Sequence, residues 1–267
     1  MTRIASPAVA LHRETLSNGL RVVLSPDRSA PVVAVGVHYD VGFRSEPQSR
    51  TGFAHLFEHL MFQGSESLEK LAHFRYVQAS GGTFNGSTHP DYTNYFEIVP
   101  SAALERALFL EADRMRAPRL TAENLRNQVD VVKEEIRLNV LNRPYGGFPW
   151  ITLPPVLYET FPNAHNGYGD FSELEAATVD DCAAFFDAYY APGNAVLTVS
   201  GDCGVEAAPA GDDPLRAERG CRRPTGRAFR PAGRVGGLRA FGGTRVVRRA
   251  GPERGRRGGG PGDRRGL

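Results

Sequence analysis

Apolar and polar positions change their period several times along the chain, and each change marks an element. Residues 13–25 alternate on either side of Asn18-Gly19, the pattern of a hairpin with a tight turn. Residues 32–41 (VVAVGVHYDV) predict a buried strand. Residues 51–62 (TGFAHLFEHLMF) are apolar nearly all round, which predicts a buried helix. A second helix is expected over residues 67–79, ended by Gly81-Gly82. Residues 82–88 and 92–99 predict two strands joined by the turn His89-Pro90-Asp91.

Helical spacing then takes over. Leu104, Leu108, Ala112 and Met115 mark one amphipathic helix, and Leu125, Val129, Val132, Ile136 and Val140 mark another. Residues 142–170 hold five prolines and read as loop-rich. A helix over residues 178–190 starts at a Thr178–Asp181 capping signal, and residues 194–200 (NAVLTVS) predict a last strand. The order of elements implies an α+β fold: a mixed, largely antiparallel sheet with helices packed on it.

Past Gly201 the periodicity stops, and composition changes with it. The net charge of +2 conceals a division of the chain. Residues 203–267 carry 16 Arg, no Lys and 6 acids, which leaves 16 basic and 24 acidic residues in 1–202. The same segment holds 16 of the 30 glycines. Residues 1–202 therefore read as a folded domain and 203–267 as a disordered Arg/Gly-rich tail. Such a tail could bind nucleic acid by charge, be a remnant of a linker, or come from a frameshift in a GC-rich gene. The abrupt break in mid-domain favours the frameshift. The absence of Lys and of interleaved aromatics argues against an evolved nucleic-acid surface. No apolar run reaches transmembrane length, and residues 1–11 lack the pattern of a secretory signal, so a cytoplasmic setting is expected. Cys182, Cys203 and Cys221 have neither metal spacing nor the makings of a disulfide framework.

The chemistry concentrates at His55-Leu56-Phe57-Glu58-His59. On a helix, positions i and i+4 share a face, so the two imidazoles can present nitrogens to one metal ion. Glu58 borders that face. Zinc held by two His and one carboxylate keeps an open position for water, and a neighbouring carboxylate can take the water's proton. The bland alternative is a buried helix with two incidental histidines. It would leave Glu58 buried without a partner in the run, at a cost of several kcal/mol. The third ligand must come from elsewhere, and VDVVKEEIR offers two glutamates. Glu134 points with Arg126, Asp130 and Arg137 to a solvated face. Glu135 falls between Val131 and Val132, beside Gln128, at the edge of the buried side, which favours it as the ligand. His73, His89 and His165 have no partner at ligand spacing and read as surface or loop residues.

These motifs resemble the pitrilysin/insulinase family of zinc metallopeptidases, which includes the mitochondrial processing peptidases. The family pattern is H-x-x-E-H, the inverzincin order, followed by a distant glutamate; Glu135 lies 76 residues after His59. The flanks agree: Leu16-Ser17-Asn18-Gly19-Leu20, Gly52-Phe53-Ala54, and Tyr189-Tyr190-Ala191-Pro192-Gly193-Asn194 leading to Gly201-Asp202. The resemblance covers roughly residues 11–202 and the family's N-terminal domain only. It implies one zinc at His55, His59 and Glu135, and Glu58 as general base. It also implies that the strand around Asn85 and Gly86 lies at a sheet edge beside the metal, where a peptide pairs by strand addition. Family members carry a second domain of similar fold whose Arg and Tyr help hold the substrate, and nothing after Asp202 resembles it. The expected activity is a zinc metalloendopeptidase acting on peptides or unfolded proteins, weakened by truncation and helped by a second chain that supplies the missing domain. The alternative is a non-catalytic structural subunit of a peptidase pair. No membrane partner is expected, and nucleic acid is disfavoured.

Overall fold

The computed structural model describes residues 9–204. Six strands form one sheet: β1 (His12–Thr15), β2 (Arg21–Pro26), β3 (Val32–Tyr39), β4 (Thr83–Thr88), β5 (Thr93–Pro100) and β6 (Ala195–Gly201). Their spatial order is β1-β2-β6-β3-β5-β4. Every pair is antiparallel except β2 with β6, so the sheet is mixed and largely antiparallel, as expected. The first hairpin turns at Gly19, whose φ of 88° suits glycine, and Asn18 Oδ1 accepts from Leu20 N at 3.0 Å. The last strand returns to the middle of the sheet, which makes the stretch around residue 195 part of the core and not an appendage.

Period-two burial decides which face is covered. Val33, Val35, Val37 and Tyr39 of β3, Tyr95, Glu97 and Val99 of β5, and Leu197 and Val199 of β6 are buried. Among the described residues eight helices follow in chain order: α1 (Phe53–Leu60), α2 (Ala72–Ala79), α3 (Leu104–Arg116), α4 (Ala122–Ile136), α5 (Pro154–Leu157), α6 (Phe161–Ala164), α7 (Phe171–Glu175) and α8 (Val179–Tyr189). A π-turn, Arg137–Leu141, extends α4. The capping box at Thr178 and Asp181 is present, each side chain meeting the other's backbone N–H.

One expectation about helices needs correction. The helix expected over 67–79 starts only at Ala72, because Leu71 adopts a left-handed φ of 63°. On α3, Ala112 and Met115 are buried and Leu104 and Leu108 pack against the core, as expected. Glu111, Asp113 and Arg114 are buried as well, so three charged residues lie inside, which the apolar stripe did not indicate. The loop-rich stretch 142–170 also contains the single helical turns α5 and α6. Cys203 is buried in the core, while the rest of the expected tail, from residue 205, lies outside the described residues. No helix among the described residues is long and apolar enough to cross a membrane.

Candidate metal centre

Helix α1 has one buried and one open side. Phe53, Leu56, Phe57 and Leu60, spaced i, i+3, i+4, i+7, are buried. His55, Glu58 and His59 fall on the remaining side and are half-buried. The N-terminus is held by Glu46, whose carboxylate accepts from Gly52 N at 2.9 Å and Ala54 N at 2.8 Å. A carboxylate there satisfies free N–H groups and complements the helix dipole.

Helix α4 lies against α1 and brings Glu135 to the two imidazoles. His59 Nε2 is 3.2 Å from the Glu135 carboxylate and His55 Nε2 is 3.8 Å from it. One ligand atom from each of the three residues falls within 4.8 Å of the others. The donors are two imidazole nitrogens and a carboxylate oxygen, which suits zinc. Burial, with His59 nearby, lowers the pKa of His55 to about 4 against the opposing pull of Glu135. The ring is therefore neutral, the form that can ligate. The hydrogen bond from His59 holds the Glu135 carboxyl below its usual range. Glu134 is exposed and pairs with Arg137 at 3.3 Å, as the helical geometry predicts.

Glu58 sits beside this cluster and has a partner that sequence reasoning missed: Thr88 Oγ1 donates to its carboxylate at 2.6 Å. Burial raises the Glu58 pKa while that hydrogen bond opposes the shift. Thr88 ends β4, which forms an edge of the sheet. A Cβ added at Gly86 would lie 3.0 Å from Glu58 Cγ, so β4 passes directly over the catalytic candidate. Asn85 is exposed and its Oδ1 accepts from Gly86 N at 2.9 Å.

Tyr168 was also missed. Its ring stands edge-on to His55, with centroids 6.3 Å apart and planes at 83°. Burial and then the Glu135 charge raise the pKa of its hydroxyl.

The sequence reading of one histidine is overturned. His73 is buried, not a surface residue, and its Nε2 lies 2.6 Å from Glu97 Oε1. Arg114 Nε donates to Glu111 Oε2 at 2.9 Å, its NH2 meets the other Glu111 oxygen, and NH2 lies 3.6 Å from Glu97. Its guanidinium lies over the rings of Tyr95 at 4.4 Å and Phe62 at 5.0 Å. His165 does lie in a loop but is pinned, with Nε2 2.7 Å from Phe43 O and 3.2 Å from Glu46. His89 is half-buried and stacks on Tyr92 in its turn, as a loop histidine would.

With this geometry in place, comparison with known proteins becomes specific. Residues 21–143 match the insulinase family, peptidase family M16. The chain is 33% identical over 189 residues to the zinc protease PqqE of Helicobacter pylori, an alignment spanning 70% of this chain and 42% of that protein. A crystal structure of a protease from Helicobacter pylori superposes with a TM-score of 0.71 at 32% identity, over 75% of this chain and 48% of the other.

This region of the chain belongs to the insulinase family.

The α+β fold is the family's, and the match includes both the His55–His59 segment and Glu135. The chain spans less than half the length of the Helicobacter PqqE protein. A further structure, described as the inactive domain of an M16 peptidase from Pseudomonas fluorescens, superposes with a TM-score of 0.68 at 22% identity, over 75% of this chain and 48% of the other. The fold alone therefore does not separate active from inactive members of the insulinase family.

Proposed function

We propose that the chain is the metal-bearing half of a zinc metalloendopeptidase, with His55, His59 and Glu135 as ligands and Glu58 as general base. The observation that carries this reading is convergence. Two imidazole Nε2 atoms and the Glu135 carboxylate come together, and Glu58 stands between them and the edge strand β4. Zinc, when bound, supplies a Lewis acid that lowers the pKa of a water and polarises a peptide carbonyl. Glu58 takes a proton from the attacking water as its oxygen bonds to the carbonyl carbon. It hands that proton to the nitrogen as the C–N bond breaks. Burial raises the Glu58 pKa, which strengthens the carboxylate as a proton acceptor.

Peptide is held along β4 at Asn85 and Gly86, where the unpaired edge offers main-chain hydrogen bonds that do not read sequence. That favours extended peptides and unfolded proteins as substrates. A second peptidase half, on this or another chain, supplies the facing wall. Phe148, Trp150, Val156, Leu157 and Tyr158, all exposed, are the kind of surface such a half would cover.

The second reading is a non-catalytic partner subunit, favoured by the likeness to a domain described as inactive. Elemental analysis separates the two. The catalytic reading expects about one zinc per wild-type chain, none in His59→Ala, and undiminished zinc in Glu58→Gln. In any preparation that cleaves peptide, Glu58→Gln should lower the rate by about 10²–10⁴-fold. Equal zinc in wild type and His59→Ala would sink the ligand assignment, and full activity in Glu58→Gln would sink the base.

A further inference from the structure

We propose that Tyr168 is a further residue of the active site, whose hydroxyl donates a hydrogen bond to the carbonyl oxygen of a bound peptide as that oxygen gains negative charge. The inference rests on the metallopeptidase reading above and deepens it.

Attack on a peptide carbonyl moves charge onto its oxygen, and a donor already aimed at that position lowers the barrier. The three metal ligands and the base offer no such donor. The Nε2 atoms of His55 and His59 are committed as acceptors toward the metal, Glu135 is a ligand and Glu58 is the base. His55 Nδ1 is buried away from the open side. The two β4 hydroxyls nearest Gly86 are also engaged: Thr88 Oγ1 is bonded to Glu58 at 2.6 Å, and Ser87 Oγ to Asn94 Oδ1 at 2.5 Å. Tyr168 is different. Its ring packs against His55, yet among the described residues its hydroxyl enters no hydrogen bond; only its backbone N–H does.

The loop that carries Tyr168 is built to hold it still. Asn166 Oδ1 accepts from Tyr168 N at 2.9 Å and Gly169 N at 3.0 Å. Asp170 N donates to Thr51 Oγ1 at 3.0 Å, and Thr51 donates in turn to Glu173 at 2.6 Å. Gly169, at φ +76°, packs so closely that a Cβ there would meet Thr51 O at 2.4 Å. A Cβ on Gly52 would meet Tyr168 O at 2.9 Å. The start of α1 and the 166–170 loop are thus locked together. The backbone that carries the phenol is fixed relative to α1 before any substrate arrives, and the ring rests against His55, an arrangement suited to an electrostatic donor.

The experiment uses the full chain loaded with zinc and a peptide phosphonamidate, whose tetrahedral phosphorus carries the charged oxygens of the attacked carbonyl. Tyr168→Phe keeps the ring and removes the donor. The expected result is a phosphonamidate affinity lowered about tenfold to hundredfold, the loss of one hydrogen bond to a charged group. Zinc content and Tm should match wild type. In a preparation that cleaves peptide, kcat should fall while KM stays level. Equal phosphonamidate binding by wild type and Tyr168→Phe overturns the role of Tyr168 alone. So does loss of zinc from Tyr168→Phe, which would make the residue a support for His55. Wild-type protein that takes up neither zinc nor phosphonamidate overturns the metallopeptidase reading, and Tyr168's role with it.

Discussion

Two clusters in this molecule gather histidine with carboxylates, and they are opposites. At the open side of α1, His55, His59 and Glu135 converge. Beneath the sheet face, His73, Glu97 and Glu111 converge just as closely, but all three are buried. The second cluster carries its own cation, because Arg114 reaches both glutamates. Among the described residues the first has no Lys or Arg in its ion pairs, and it leaves Glu135 half-exposed. Residue type therefore does not distinguish a metal centre from a structural ion cluster. What distinguishes them is whether the protein supplies the positive charge itself, and whether water and substrate can reach it. A buried ion pair needs its partner in place, whereas an open donor set can wait for an ion from solution.

The sharpest break of this comparison is to remove the internal cation. Arg114→Leu leaves the negative charge shared by the Glu97–Glu111 pair uncompensated in the core, at a cost of about 3–5 kcal/mol. Thermal melts should show this as a large fall in Tm, at roughly 2–4 °C per kcal/mol for a domain of this size. The folded fraction should still take up zinc. If Arg114→Leu melts like wild type, or loses its zinc while folded, the two clusters are not separate devices.

Within the open cluster, Glu135→Gln should weaken zinc at least about tenfold, by loss of a charged ligand. Glu134→Gln, one residue away on the solvated face, should change nothing. Competition with a chromogenic chelator measures both, and equal affinities would erase the distinction.

A smaller effect is expected at Gly86→Ala. The added methyl would sit 3.0 Å from Glu58 Cγ and displace it by a few tenths of an ångström. The rate should drop about tenfold with zinc content unchanged, since small misplacements of a base are costly. An unaltered rate would mean that β4 does not bear on Glu58.

The mildest test concerns pH. Burial, with the Glu97 charge adding to it and Arg114 opposing, raises Glu111 from 4.5 to about 8. The folded protein then keeps a proton that the unfolded chain releases. The resulting stability is fully present below about pH 4.5 and is lost as pH rises through about 8. Glu111→Gln cannot release that proton, so its Tm should decline less between those limits. Parallel Tm curves for the two proteins would show that Glu111 is ionised throughout.

The amino-acid sequence by itself determined whatever depends on neighbours in the chain. The i, i+4 spacing put His55 and His59 on one face of α1, and the turn of α4 separated Glu135 from Glu134, because both follow from 3.6 residues per turn. The Asn18-Gly19 turn and the Thr178–Asp181 cap were equally local. Tertiary structure decided the rest. The parallel pairing of β2 with β6 joins segments about 175 residues apart, and no period in either strand encodes its partner. The inward line of α3 ran through Glu111 and Arg114, which hydrophobic patterning assigns to solvent. His73 became a core residue because Glu97 and Arg114 met it there. Thr88 beside Glu58, and Tyr168 beside His55, lie 30 and 113 residues from those partners. Only the packed sheet and the clamped loop bring them together. Burial and ion pairing are properties of the whole fold, so a charged residue's role could be read only once its distant partners were in place.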